Sequence, residues 1–335
     1  MNLLINCPFK FTIKDFDSAM IGGIESLNID LVNKFAKNKY NVTFSTIFNE
    51  KMFVKNRIKS IPIEQLKKDP KKFNFDYIIS SNDSTIFDYF PKSKKFLWLH
   101  NKLQIEKAIR KKQFFSILRT RPTAVFVSNY LDKLTSSFFF FKKRITINNF
   151  LLSNFKLISL YKNKRKPIFV WSVARNRGLQ ETIQMWIDKI YPISNNARFF
   201  ILGNNKFYSK FSKSFLESKN IFFKGRVDKK TLKKIYLEST AMICLGYDET
   251  FCLNALEANA CGLPVLSFGK SALSKFIINK YNGFKVNNFN ELSLKIIFLL
   301  NQTAINKKKI ISNCYNHSKK FSLLDSFFYW KKLLK

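Results

Sequence analysis

Short apolar runs alternate with longer polar or periodic segments along the whole chain. LLINC (3–7), NVTFST (41–46), DYIIS (76–80), KFLWLH (95–100) and AVFVS (124–128) have the length of buried strands, and a segment of helical length follows each. After residue 150 the rhythm restarts with IFVWSV (168–173), RFFILG (198–203), NIFFKG (220–225), AMICLG (241–246) and LPVLSF (263–268). Strands alternating with helices predict parallel sheets, hence an α/β chain of two doubly wound domains. Between the two sets, 151–167 (LLSNFKLISLYKNKRKP) is basic, weakly periodic and closed by Pro167, and reads as a linker. The expected division is an N-terminal domain at 1–150, the linker at 151–167, a C-terminal domain at 168–315 and a closing helix at 316–335. Open α/β sheets bind ligands beyond the carboxyl ends of their strands, and two in tandem place a cleft between them.

Composition narrows the partners. Lys and Arg total 59 against 22 Asp and Glu, a formal net charge of +37 in 335 residues. A field this positive implies an anionic partner: phosphorylated substrates, an anionic membrane surface or a nucleic acid. Hydrophobic residues make up 46% of the chain, enough for sizeable cores. Five cysteines without a C-x-x-C, and only His100 and His317 beside them, assemble no zinc pattern, so the thiols read as reduced core residues of a cytosolic protein. MNLLINCPFK lacks the features of a signal peptide, and no window reaches the ~18 apolar residues of a spanning helix. The expected location is the cytoplasm, with peripheral contact to the inner face of the membrane as an option.

Four places have the residue types for chemistry at a strand's carboxyl end. Gly22 and Gly23 precede a helix with apolar positions at 24, 27, 31 and 35, where backbone N–H groups can approach a phosphate. The surrounding sequence is not G-x-G-x-x-G, which counts against a nicotinamide or flavin site. His100 ends the run KFLWLH. Arg175 and Arg177 follow a strand in WSVARNRGLQETI, where guanidinium groups can clamp a diphosphate. In LGYDETFCLNALEANACGLPVLS, Glu249 lies in the loop after a strand and Glu257 on a helix stopped by Gly262 and Pro264. Thr250, Phe251 and Cys252 lie between the two carboxylates, at that helix's N-terminus.

The last stretch resembles the E-x7-E signature of retaining, GT-B-fold glycosyltransferases of family 4 (glycosyl transferases group 1). The family's E-G-F-G-L-x-x-x-E-A-x-A-x-G-x-P-V stands here as E-T-F-C-L-N-A-L-E-A-N-A-C-G-L-P-V. Further stations follow in the family's order: GGIE (22–25), His100, VSNYL (127–131), INNF (147–150), the Arg175/Arg177 turn, FILG (200–203), FFKGRV (222–227) and NGFKV (282–286). The resemblance implies two Rossmann-like domains facing a cleft, with the C-terminal helix crossing back to the first. It implies that Glu257 holds the nucleotide ribose and that Glu249 and His100 contact the donor sugar at the catalytic centre. Arg175 and Arg177 bind the diphosphate under the same resemblance, Gly22 and Gly23 bring backbone close to it, and Thr250, Phe251, Cys252 and Leu253 line the donor. The family needs no metal or other cofactor; its donor is a nucleotide sugar, here a UDP-, GDP- or ADP-sugar. Thr250 and Cys252 depart from the family's two glycines.

The acceptor is expected to be a cell-envelope glycan or a lipid-linked molecule of lipopolysaccharide or capsule type. KAIRKKQFFSILRTR (107–121) and TSSFFFFKKR (135–144) mix basic and aromatic residues, which fits either an interfacial surface on an anionic membrane or core phenylalanines flanked by solvated lysines; the first reading is preferred for 107–121 and both stay open for FFFF. Asp15 and Asp17 form a D-x-D in the first strand-to-helix loop, the wrong place for a metal-binding D-x-D; they are expected near the acceptor or solvated. Two alternatives remain: a nucleotide-sugar epimerase or hydrolase on the same fold, and a basic nucleic-acid-binding protein, for which no specific nucleic-acid module is legible.

Overall fold

A computed structural model describes residues 1–16, 21–156, 160, 165–173, 177–203 and 210–335. Two compact units emerge, Met1–Leu152 with Leu323–Lys335, and Ser153–Ser322.

The first unit carries an eight-stranded sheet: β1 (Asn2–Lys10), β2 (Asn41–Ile47), β3 (Phe53–Lys55), β4 (Ile58–Pro62), β5 (Tyr77–Ser81), β6 (Lys94–Leu99), β7 (Thr123–Phe126) and β8 (Lys143–Thr146). Its order is β3-β4-β2-β1-β5-β6-β7-β8. All neighbours are parallel except the β3–β4 hairpin. The second unit holds β9 (Ile168–Trp171), β10 (Arg198–Leu202), β11 (Ile221–Gly225), β12 (Ala241–Ile243), β13 (Val265–Ser267) and β14 (Gly283–Lys285). There the order is β11-β10-β9-β12-β13-β14, wholly parallel. This is the 3-2-1-4-5-6 order of a dinucleotide-binding sheet, whose order reverses beside its first strand, β9. The α/β class with two doubly wound sheets is thus as the apolar rhythm predicts.

The strands that periodicity missed are edge or near-edge strands, where one flank stays wet and no apolar run is needed. β3 and β4 read FVK and IKSIP, and Asn56 and Arg57 between them take φ values of +52° and +64°, a two-residue hairpin turn without glycine. β8 reads KRIT.

The helix Leu323–Leu333 belongs to the first unit, beginning later than the residue 316 expected from sequence. Its fully buried Trp330 sets its ring against Trp98 (5.4 Å between centroids) and Phe96 (6.4 Å) of β6, and Phe327 meets Phe35 at 5.0 Å.

In the stretch expected to be a linker, Phe155 and Arg165 pack into the second unit; 157–159 and 161–164 lie outside the described residues. Arg165 donates to the carbonyls of Tyr236 and Ser239 and, at 2.5 Å, to that of Cys261. These are carbonyls at the ends of the helices Lys229–Glu238 and Leu253–Ala260, where helix dipoles favour a cation. One guanidinium therefore ties the segment before β9 to the carboxyl ends of two helices.

Candidate functional site

The E-x7-E stretch folds as strand, loop and helix. β12 ends at Ile243, Glu249 lies in the following loop, and Glu257 sits in the second turn of the helix Leu253–Ala260. That helix closes on Gly262 at φ +69°, with Leu263 N donating to Ala258 O (2.9 Å) and Gly262 N to Asn259 O (2.8 Å). These are the two hydrogen bonds of a Schellman cap. A Cβ on Gly262 would lie 2.6 Å from Ile311 Cγ2, so the glycine is required by packing as well as by φ.

Both glutamates are buried and each faces a cation. Glu257 is fully buried and accepts from Lys229 Nζ at 2.6 Å through Oε1. Its Oε2 is buried with no hydrogen-bond partner among the described residues. Burial raises the Glu257 pKa, and the Lys229 ammonium offsets part of that rise. Glu249 Oε1 forms an ion pair with Arg177 Nη1. Burial raises its pKa too, with Arg177 working in the opposite direction. The loop carrying Glu249 is fastened from below, Ala272 N donating to Glu249 O (3.1 Å) and Ser271 Oγ to Gly246 O (2.6 Å). Ser271 and Ala272 adjoin the Leu273–Phe276 helix, which stands where the resembling family has P-E-x-I.

Arg177 reaches Glu249 because the next residue, Gly178, takes φ +93° and brings the chain against Leu245 and Tyr247. A Cβ there would lie 2.5 Å from Leu245 Cδ1. Phe251 packs on Phe321 at 5.7 Å. Thr250 and Leu253 are half-buried. Cys252 holds φ +67°, a left-handed conformation that glycine adopts without cost, and its Sγ lies 3.7 Å from Cys244 Sγ. The contact with Cys244 and then burial push the Cys252 thiol well above its usual range.

In the first unit, Gly23 opens the helix Gly23–Lys37 and Gly22 is its N-cap, as the glycine pair predicts. His100 follows β6 and is buried, its ring 4.4 Å from that of Trp98. Burial drops its pKa to about 3, so the ring is neutral at physiological pH. Its backbone N–H donates to Asn82 Oδ1 at 2.8 Å, and Asn101 N reaches the same oxygen at 3.3 Å. Beside it, a cavity of about 510 Å³ opens at the carboxyl ends of β1, β5 and β6, lined among others by Asn82, Asn101, Lys102, Lys107 and Lys111. Asp15 is taken up locally, accepting from Thr12 N (2.7 Å) and Thr12 Oγ1 (3.2 Å) within its own turn. Asp17 and Arg175 lie outside the described residues.

Two participants carry no sequence signal of their own. Lys229 follows Asp228, the N-cap of its helix, and looks like one more lysine in VDKKTLKK. Asn82 holds the turn after β6 only because it takes φ +56°.

The basic and aromatic segments resolve side chain by side chain. In FFFF, Phe139 is fully buried and meets Phe114 at 6.0 Å, while Phe138 (64%) and Phe140 (55%) are exposed. Ile109, Phe115 and Leu118 are exposed as well, among Lys107, Arg110, Lys111 and Arg119. Arg144 is structural: it donates to Asp132 Oδ1 (2.7 Å) and Thr135 O (2.9 Å), and lies over the Phe126 ring at 4.9 Å. None of the described helices is long and apolar enough to cross a membrane.

Residues 154–317 match the family of glycosyl transferases group 1. Over 189 residues the chain is 29% identical to the uncharacterized glycosyltransferase MJ1178 of Methanocaldococcus jannaschii; the match covers 52% of this chain and 53% of that protein. The chain thus spans about half the length of the curated relative it matches. Among solved structures it is similar to WaaG, a glycosyltransferase involved in lipopolysaccharide biosynthesis (TM-score 0.70, 12% identity, 99% of each chain covered). It is also similar to Anabaena HepE in complex with UDP-glucose (TM-score 0.69, 14% identity, 100% of this chain and 99% of that one covered).

Proposed function

We propose, for a chain that matches the glycosyl transferases group 1 over residues 154–317 and has the GT-B fold, a retaining transfer of a sugar from a nucleotide-sugar donor to an anionic or lipid-linked envelope acceptor. The observation that carries this reading is Glu257: a fully buried carboxylate with one oxygen on Lys229 and the other unsatisfied among the described residues. A buried acceptor left unmet costs about 1–3 kcal/mol, and a ribose hydroxyl is the group that would meet it. Arg177 and Lys229, each neutralised by a glutamate, are the cations that a diphosphate would recruit. As the sugar leaves, charge grows on that diphosphate, and cations already in place stabilise it without reorganisation. Glu249 contacts the donor sugar in this reading, and the neutral His100 ring serves as a hydrogen-bonding surface and not as an acid. No metal is needed to hold the diphosphate. The UDP-glucose bound to the Anabaena neighbour supports a nucleotide-sugar donor, and the lipopolysaccharide role of WaaG supports an envelope acceptor. Lys102, Lys107 and Lys111 around the first unit's cavity suit a phosphorylated one.

The deciding measurement is a panel of UDP-, GDP- and ADP-sugars scored by thermal shift and slow donor hydrolysis. One donor class is expected to raise the melting temperature and to be turned over, and Glu249→Ala to abolish turnover. If no nucleotide sugar shifts the wild-type melting curve at millimolar concentration, the reading fails.

The same proposal extends to the membrane. Exposed Phe115 in the segment of Lys107, Arg110 and Lys111, and exposed Phe138 and Phe140 just before the exposed Lys142 and Lys143, supply rings that enter the headgroup boundary and ammonium groups that meet anionic lipid. Replacing Phe138 and Phe140 together by Ser is expected to weaken sedimentation with phosphatidylglycerol vesicles by about tenfold. Unchanged binding of that double variant would remove the surface from the proposal.

A further inference from the structure

Cys244 and Cys252 are eight positions apart in sequence, on either side of the Glu249 loop, and the fold brings their sulfurs to 3.7 Å. The two sulfurs and a Glu249 carboxylate oxygen all lie within 4.8 Å of one another, and all three residues are buried. Four-coordinate zinc, with bonds to sulfur of about 2.3 Å, holds two thiolates about 3.8 Å apart along one edge of its tetrahedron. The two cysteines therefore already stand at the separation such an ion imposes, with a carboxylate for a third position and a fourth left to solvent or ligand. Cys252 also occupies a left-handed position where glycine would be strain-free, so chain geometry alone gives no reason for its thiol.

We propose that Cys244, Cys252 and Glu249 form an inhibitory site for a thiophilic divalent cation, zinc being the type. Each thiol releases its proton to solvent as its sulfur takes up a coordination position, and the two thiolates supply the negative charge that outweighs the nearby Arg177 guanidinium. Coordination draws Glu249 away from Arg177 and so takes a carboxylate out of the donor site. That effect on transfer rests on the function proposed above; the binding itself does not.

Cobalt(II) reports on the site directly, because thiolate ligands give it charge-transfer absorption and a tetrahedral field gives it strong visible bands. Titration of the phosphine-reduced protein with cobalt chloride is expected to produce both signals, saturating at one equivalent. Cys244→Ser and Cys252→Gly should each lower the charge-transfer intensity per bound cobalt by about half and weaken binding by about tenfold or more. Glu249→Gln should keep both thiolate signals and bind more weakly. Far-ultraviolet circular dichroism and melting curves identify any variant that fails to fold. Charge-transfer bands that are absent, or that persist unchanged in both cysteine variants, would overturn the site. With a donor in hand, micromolar zinc should slow transfer by wild type, and each cysteine variant, relative to its own zinc-free rate, should need at least about tenfold more zinc for the same slowing. A wild-type rate insensitive to zinc, despite the cobalt signals, would leave a metal site that does not inhibit and so refute the inhibitory half.

Discussion

Glu257→Gln is expected to weaken nucleotide-sugar binding by about thirtyfold, close to 2 kcal/mol, while leaving the protein folded. The two wild-type carboxylate oxygens play different parts. Oε1 meets the Lys229 ammonium at 2.6 Å, and Oε2 is the unsatisfied acceptor. Glutamine keeps one acceptor. The Lys229 ammonium, whose side chain is only 18% exposed, orients the amide so that the oxygen stays with it. The amide NH2 then lies where Oε2 lay, presenting donors to a ribose diol whose hydroxyls need an acceptor. Loss of a charge-assisted hydrogen bond from a buried site accounts for the thirtyfold. Both substitutions remove the counter-charge of Lys229, but Glu257→Ala also leaves its ammonium without the acceptor that glutamine keeps, and adds a destabilisation of about 3 kcal/mol. Isothermal titration with the nucleoside diphosphate of the donor that succeeds in the panel reads the first effect; urea unfolding separates it from the second. If Glu257→Gln binds that nucleotide as tightly as wild type, the ribose assignment is wrong.

Much of this site is legible in the sequence because its residues sit at chain positions that local chemistry marks. A glycine pair before an apolar-periodic run reads as a helix start, and Gly23 opens one. Gly262 followed by Pro264 reads as a helix stop, and the Schellman hydrogen bonds are there. What stays hidden depends on contacts between distant segments. Lys229 is one lysine among 59 cationic residues until the fold sets it against Glu257. Cys244 and Cys252 show no metal-binding spacing because a strand end and a loop, not a tight turn, bring them together. Phe139 differs from Phe138 and Phe140 only in the side of the chain it faces, which a run of four identical residues cannot encode. Arg165 reads only as part of a basic linker because these carbonyl partners belong to residues more than seventy positions away. Asp15 caps its own turn through Thr12, a contact that its D-x-D setting does not announce, because a turn-capping carboxylate and a ligand-binding one look alike in sequence.

Gly283→Ala is expected to be the most damaging single-methyl change in the second unit. The motif NGFKV gives no reason for its glycine at the level of turns, since Gly283 is not among the positive-φ residues. The reason is space. Gly283 is the first residue of β14 and pairs with Val265 of β13, and a Cβ there would lie 2.4 Å from Val265 O and 3.1 Å from Val265 N. Backbone atoms of a sheet strand cannot rotate aside as a side chain can, so the two strands must separate at that point. Separation disturbs Asn282 next to it, which is fully buried at the centre of a polar network. Its side chain donates to Asn259 Oδ1 (2.8 Å) and Phe276 O (3.1 Å), meets His317 Nδ1 (2.9 Å), and accepts from Ile278 N (2.7 Å). Burial holds His317 neutral with a pKa of about 4, so no charge is available to compensate a broken link. Overpacking against backbone costs about 3 kcal/mol, and a unit of this size loses roughly 2–4 °C of melting temperature per kcal/mol. The calorimetric transition of the second unit should therefore fall by roughly 6–12 °C, whereas Gly203→Ala, where a Cβ meets nothing within 4 Å, should fall by less despite its φ of +127°. A Gly283→Ala transition within about 2 °C of wild type would mean that β13 and β14 yield without cost, and the steric account of the motif would have to be abandoned.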